Sequence, residues 1–157
     1  MNTRKFIVAL TADFYDTAGV PKYRDIGLSL LAEQPHIEQR VFQELRKQIG
    51  ADQIADAQGV IVLTPTVTAE SVSKADHLLV MARFGVGYDA VDVKACTAAG
   101  VLVTITTGAV DRPVAEAAIG WMIALSHNTH VKDKLVRTGQ WDERSKYMGR
   151  ELRDRTL

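Results

Sequence analysis

The chain has 157 residues, enough for one domain or for one domain with an extension. With 46% hydrophobic and 24% charged residues it has the composition of an ordinary α/β protein, and its 19 basic and 19 acidic side chains cancel, which argues against nucleic acid or an anionic membrane as the main partner. No apolar run reaches the ~18 to 20 residues of a membrane span, and Cys96, the single cysteine, excludes an intrachain disulfide and fits a reducing cytoplasm.

Lys5 to Thr11 (KFIVALT) is a short apolar run of β-formers, read as a first parallel strand buried on both faces. The N-terminus from Met1 to Lys5 leads straight into it and offers no signal-peptide cleavage site. Ala12 to Tyr23 is a loop punctuated by Gly19 and Pro21, and Ile26 to Leu31 a brief helix. His36 to Phe42 alternates apolar and polar, which suits an edge strand. Gln43 to Ala57 reads as mainly helical, with a break near Gly50. Gly59 to Leu63 (GVIVL) is a third strand, stopped by Pro65, and Thr68 is placed to cap a short helix after it. His77 to Ala82 is a fourth strand. Asp89 is placed to cap a helix from Val91 to Ala99 that Gly100 ends, and Val101 to Ile105 is a fifth strand.

Strands alternating with short helices predict a five-stranded parallel sheet with helices on both faces, laid out as in flavodoxin. That domain is expected to occupy 1–110. The rest, 111–157, reads as a hinge, a long crossover helix and an irregular polar tail. The helix is expected from Pro113 to about Thr138, and ~26 residues at ~1.5 Å each give about 39 Å. Its stretch from Val114 to Leu125 is apolar almost all round except for Glu116, a pattern that predicts burial on more than one side. Glu116 itself suits the helix dipole or the preceding loop. Gly139 suits the closing position, with Trp141 and Tyr147 as anchors for the tail. From Lys132 onward eight basic residues face five acidic ones, a small surplus read as a solvated face.

The candidate site is the loop Arg83-Phe84-Gly85-Val86-Gly87-Tyr88-Asp89. Two glycines flanking one residue free backbone N–H groups to face outward, which makes a seat for a small anion. Gly85 to Ala90 also matches the loose dinucleotide fingerprint G-x-G-x-x-A. It follows the fourth strand rather than the first, however, and no acid ends the fifth strand, where Thr104 to Thr107 stand. A phosphoacceptor site fits worse: Asp13 and Asp16 mimic its first acids, but the third strand ends without an aspartate and the fifth without a lysine.

Arg83 emerges at the sheet's carboxyl edge, where ligands of open α/β sheets bind. It either pairs with Asp89 or Asp92 or lends positive potential to an anionic substrate. His127 and His130 have no third metal ligand spaced to join them and read as solvent-facing, and His36 and His77 as strand-end residues. No metal is therefore expected, and Cys96 reads as a small core residue.

Three motifs in order, Arg83 to Asp92, then Ala99-Gly100-Val101-Leu102-Val103, then Val114-Ala115-Glu116, resemble the D-isomer-specific 2-hydroxyacid dehydrogenases. The tail, Gly139-Gln140-Trp141 and Gly149-Arg150-Glu151-Leu152, resembles the run into that family's first cofactor-binding strand. The resemblance implies the substrate domain of a two-domain enzyme, ending before the inserted NAD(P)-binding domain. It implies reversible hydride transfer between C2 of a small 2-hydroxy or 2-oxo acid and NAD or NADP. The family's catalytic Arg, Glu and His would all lie beyond Leu157, so no catalytic residue is assigned here and the chain alone is expected to be inactive.

What the resemblance carries over is the substrate side. The backbone at Gly85, Val86 and Gly87, with Arg83 beside it, would hold the substrate carboxylate, and Val86 and Val114 would lie near the cofactor. The hinge falls near Thr106 to Pro113, where Ile105-Thr106-Thr107 departs from the family's usual Asn-Thr-Pro. The long helix is expected to be covered by a second copy, giving a homodimer. The rival reading is a cofactor-independent binding or corepressor-like module on the same fold.

Overall fold

The computed structural model describes residues 5–156, so the readings placed on Met1 to Arg4 and on Leu157 lie outside the described residues. The chain divides into two compact units between Ala109 and Val110.

The first unit is built on five parallel strands: β1 (Phe6–Leu10), β2 (Ile37–Val41), β3 (Gly59–Val62), β4 (Val80–Arg83) and β5 (Leu102–Thr104). Their order is β2-β1-β3-β4-β5, the flavodoxin-like order the strand pattern predicts. The register aligns Ala9, Val60, Met81 and Val103 in one row. The first three are buried, and with Ile54, Val67, Val91 and Cys96 they form the main core. Burying a side chain such as Met81 stabilises the fold by about 1.5–3 kcal/mol. β2 is an edge strand, as its polar alternation predicts. Its Arg40 reaches out to Asp56, with Nη1 donating to Oδ2 at 2.8 Å.

Short helices cover the sheet: α1 (Leu28–Ala32), α2 (Ala51–Ile54) and α3 (Val93–Ala98). Three expectations need correction here. Gln43 to Gly50 is not helical, because Thr66 N–H donates to Lys47 C=O (2.9 Å) and Ile49 N–H to Thr66 C=O (2.9 Å), which draws this backbone into a bridge. No helix forms after Thr68. Ser71 Oγ donates to Ile49 C=O (2.6 Å) and accepts from Thr68 N–H (3.0 Å), so side-chain bonds replace the helical ones and leave turns. Asp92, not Asp89, caps α3, with its Oδ1 accepting from Ala95 N–H at 2.9 Å. The helix begins that late because Val91 is bridged to Val67. Gly100, at φ 72°, closes α3 as expected and feeds β5.

In the second unit the single long helix is two: α4 (Asp111–Ser126) and α5 (Thr129–Arg137). Asn128 separates them at φ 53°, a left-handed conformation that asparagine tolerates, with its side-chain amide donating to the carbonyls of Tyr147 and Met148. The apolar stretch also differs from expectation, since no residue of α4 is buried within the chain. The tail is less irregular than its composition suggests, because Trp141–Tyr147 forms a 3-10 helix. Arg144 lies 5.0 Å from the Trp141 ring centre. Among the described residues no helix is long and apolar enough to cross a membrane.

Candidate functional site

The carboxyl edge of the sheet gathers the residues that follow β1, β3 and β4. Arg83 ends β4, and the chain then breaks away from the ladder: Phe84 N–H donates to Val62 C=O (2.8 Å) and Gly85 C=O accepts from Thr106 N–H (3.0 Å). These two bonds pin Phe84 and Gly85. Beyond them the N–H groups of Val86, Gly87 and Tyr88 donate to no protein acceptor among the described residues. Val86 is half-buried and Gly87 exposed. Unpaired backbone donors cost free energy unless water or a ligand meets them, and successive ones are suited to an anion.

Arg83 makes no ion pair with Asp89 or Asp92 among the described residues, so of its two readings the pairing is absent. Its guanidinium instead turns back on its own loop and donates to Phe84 C=O. Gly85 stands at φ 147°, which favours glycine. The structure thus brings Arg83, Gly85, Val86 and Gly87 together on one loop, whereas Val114 stands in the second unit, exposed in the first turns of α4.

Two features at this edge escape the sequence reading. Asp13, read there only as a phosphoacceptor mimic, is buried and accepts at Oδ2 from both the N–H (2.9 Å) and the hydroxyl of Thr64. With Thr11 Oγ1 accepting from Leu63 N–H (3.1 Å), it laces the ends of β1 and β3 together. The second feature is an aromatic triad. The Phe84 ring lies 5.3 Å from Phe14 and 5.6 Å from Tyr23, and Phe14 lies 6.3 Å from Tyr23. Spacing alone does not reveal either, since their members are far apart in the chain.

Elsewhere the chain shows little chemistry. A groove of about 700 Å³ lies at the opposite, amino edge, lined by five alanines together with Leu78, Leu79, Ser73 and Asp76 among others. No group of three or more potential metal-ligating side chains occurs among the described residues, and His127 and His130 are both exposed. Cys96 is buried, and its burial, with the charge of Asp92 nearby, pushes its thiol above the ordinary range.

A nicotinamide dinucleotide would need a helix N-terminus to receive its pyrophosphate. The helix after Gly85-Val86-Gly87 is α3, and the carboxylate of Asp92 already occupies its first turn. The loop therefore does not fit a dinucleotide phosphate clamp, whatever its glycine pattern suggests.

Flavodoxin-like topology with a pinned, glycine-rich loop at the carboxyl edge defines an open, parallel α/β domain. Residues 15–154 match the family model described as D-isomer specific 2-hydroxyacid dehydrogenase, catalytic domain, and the chain belongs to that family. The D-3-phosphoglycerate dehydrogenase of Rattus norvegicus is 32% identical over 157 residues, covering 99% of this chain and 27% of that protein. Among solved structures, a glyoxylate reductase from Paecilomyes thermophila superposes with a TM-score of 0.71 at 22% identity, over 98% of this chain and 47% of that one. A D-lactate dehydrogenase from Aquifex aeolicus, complexed with NAD and lactic acid, gives a TM-score of 0.72 at 20% identity, over 92% of this chain and 41% of that one. At these identities the two structures establish the fold. The chain spans about a quarter of the length of the curated relatives it matches.

Proposed function

We propose that the chain supplies the substrate side of an oxidoreductase that uses NAD or NADP to oxidise the CH–OH group of a small D-2-hydroxy acid, or to reduce the matching 2-oxo acid. The observation that carries this is the pair of unpaired N–H groups at Val86 and Gly87, on a loop pinned from both sides. One carboxylate oxygen is received by each N–H. Arg83 stands beside them with no carboxylate partner of its own among the described residues and adds positive potential at the sheet edge. The half-buried Val86 side chain presents an apolar surface to the reacting end of the substrate.

On this reading residues 1–110 form the substrate domain and 111–157 lead to a cofactor domain that holds the dinucleotide, with Val114 touching the nicotinamide. Hydride transfer and proton transfer belong to an Arg, a Glu and a His outside this chain. The chain alone binds the acid and turns nothing over. Mixing it with NADH and glyoxylate or hydroxypyruvate should leave the absorbance at the nicotinamide band unchanged, and steady oxidation of NADH would refute the assignment. The exposed Ile119, Trp121, Ile123 and Leu125 of α4 suit an interface with a second copy of the chain, as a homodimer.

A further inference from the structure

β2 lies at one edge of the sheet, with β1 on its inner side. Phe6 N–H donates to His36 C=O and Phe42 N–H to Leu10 C=O, both at 2.8 Å, so the even-numbered residues of β2 turn their backbone groups towards β1. Ile37, Gln39 and Val41 therefore turn theirs outward. Ile37 N–H is taken by Gln34 C=O (3.0 Å). The N–H groups of Gln39 and Val41, and the C=O groups of all three residues, have no hydrogen-bond partner among the described residues.

An open edge of this kind is a template for another strand, and proteins blunt it with lysine, proline or a bulge. The sequence of β2, Ile-Glu-Gln-Arg-Val, has neither lysine nor proline, and its register with β1 runs without a break. Instead it complements itself when read in reverse. About a two-fold axis at Gln39, Ile37 meets Val41 of the second copy, Glu38 meets Arg40 and Gln39 meets Gln39. Glu38 and Arg40 fall at the positions of that ladder without backbone bonds, where opposing Cα atoms stand only ~4.5 Å apart and side chains interact most closely. Arg40 has donors to spare. Its Nη1 goes to Asp56 Oδ2 and its Nη2 to Asp56 Oδ1, which leaves Nε–H and the second hydrogens of both nitrogens for another carboxylate.

We propose that β2 is an interface with a second copy of this chain, paired antiparallel about Gln39 so that the two sheets run on as one. Gln39 exchanges two backbone hydrogen bonds with its counterpart, Val41 N–H donates to Ile37 C=O of the second copy in both directions, and two Glu38–Arg40 ion pairs cross the seam. Two-fold pairing satisfies both edges at once. A strand of five residues is small against the ~1,200 Å² of a standard interface, so the association is weak. The surface is separate from that of α4 and does not rest on the substrate reading.

Sedimentation equilibrium of the full chain carrying Trp121→Glu, which takes α4 out of any self-association, is the test. The weight-average mass should climb from one chain towards two as concentration passes a Kd of about 0.1 mM. Glu38→Arg and Arg40→Glu each set like charges opposite one another and should each weaken association roughly tenfold. An equimolar mixture of the two variants should restore it, because every opposing pair is again of opposite sign. Gln39→Pro is tolerated where the N–H faces outward and should abolish the pairing. A chain that stays monomeric throughout, association indifferent to the charge changes or to proline, or a mixture that associates no more tightly than its components would each overturn the proposal.

Discussion

The guanidinium of Arg83 lies 2.7 Å from the point that a β-carbon on Gly85 would occupy. The guanidinium tip can swing aside, so the two glycines of this loop differ chiefly in backbone conformation. Gly85 is left-handed at φ 147° and shielded by Arg83, whereas a β-carbon on Gly87 would meet nothing nearer than Asp89, at 3.8 Å.

Gly85→Ala should therefore destabilise the chain by about 1–3 kcal/mol, from backbone strain and displacement of Arg83. Gly87→Ala should stay within roughly 0.5 kcal/mol. Urea unfolding of both variants checks this, and equal costs would show that Gly85 is not under special constraint.

Asp13→Ala takes the acceptor from the N–H and hydroxyl of Thr64, an exposed residue whose donors water can meet, so the loss should be that of ordinary hydrogen bonds, about 0.5–1.5 kcal/mol each. Asp13→Asn keeps an acceptor oxygen for Thr64 and should cost less. The order of the two unfolding midpoints is the readout. If asparagine is as harmful as alanine, the bond to Thr64 is not what the aspartate provides.

Much of this was legible from residue order. Apolar β-forming runs at Lys5 and Gly59 announce parallel strands buried on both faces, the run from His77 becomes strand only at Val80, where Met81 alone is buried, and the polar alternation of His36 to Phe42 marks an edge. What sequence reading misses is long-range. The stretch from Gln43 looks helical by composition, but its backbone is claimed by Thr66, and the helix from Pro113 breaks at Asn128, whose amide finds the tail. Likewise, the loop at Gly85 is visible as a glycine motif, whereas the bonds that pin it come from Val62 and Thr106.

Burial first, and then the negative charge of Asp92, raise the Cys96 thiol above its ordinary range. Because the folded value exceeds the unfolded one, this group's contribution to stability is present below the ordinary thiol range and is lost as pH climbs from that range through the raised value. Near pH 8 the thiol should react with a disulfide reagent only as fast as the chain unfolds, and at once in urea. Fast labelling of the native chain would contradict its burial.

Trp121 is 67% exposed on α4, and leaving such apolar area in water costs ~25 cal/mol per Å². Sedimentation should show a dimer for the wild-type chain and a shift towards monomer for Trp121→Glu. A monodisperse wild-type monomer would remove α4 as an interface between copies.

The proposed function stands or falls on the seat at Val86 and Gly87. Titrating the isotopically labelled chain with glycolate, a bare 2-hydroxy acid, tests it most directly. Saturable shifts concentrated on the amides of Val86 and Gly87 and on the Arg83 side chain, weakened in Arg83→Ala, are the expected result. Shifts confined to other surfaces, or none at glycolate concentrations of tens of millimolar, would contradict it.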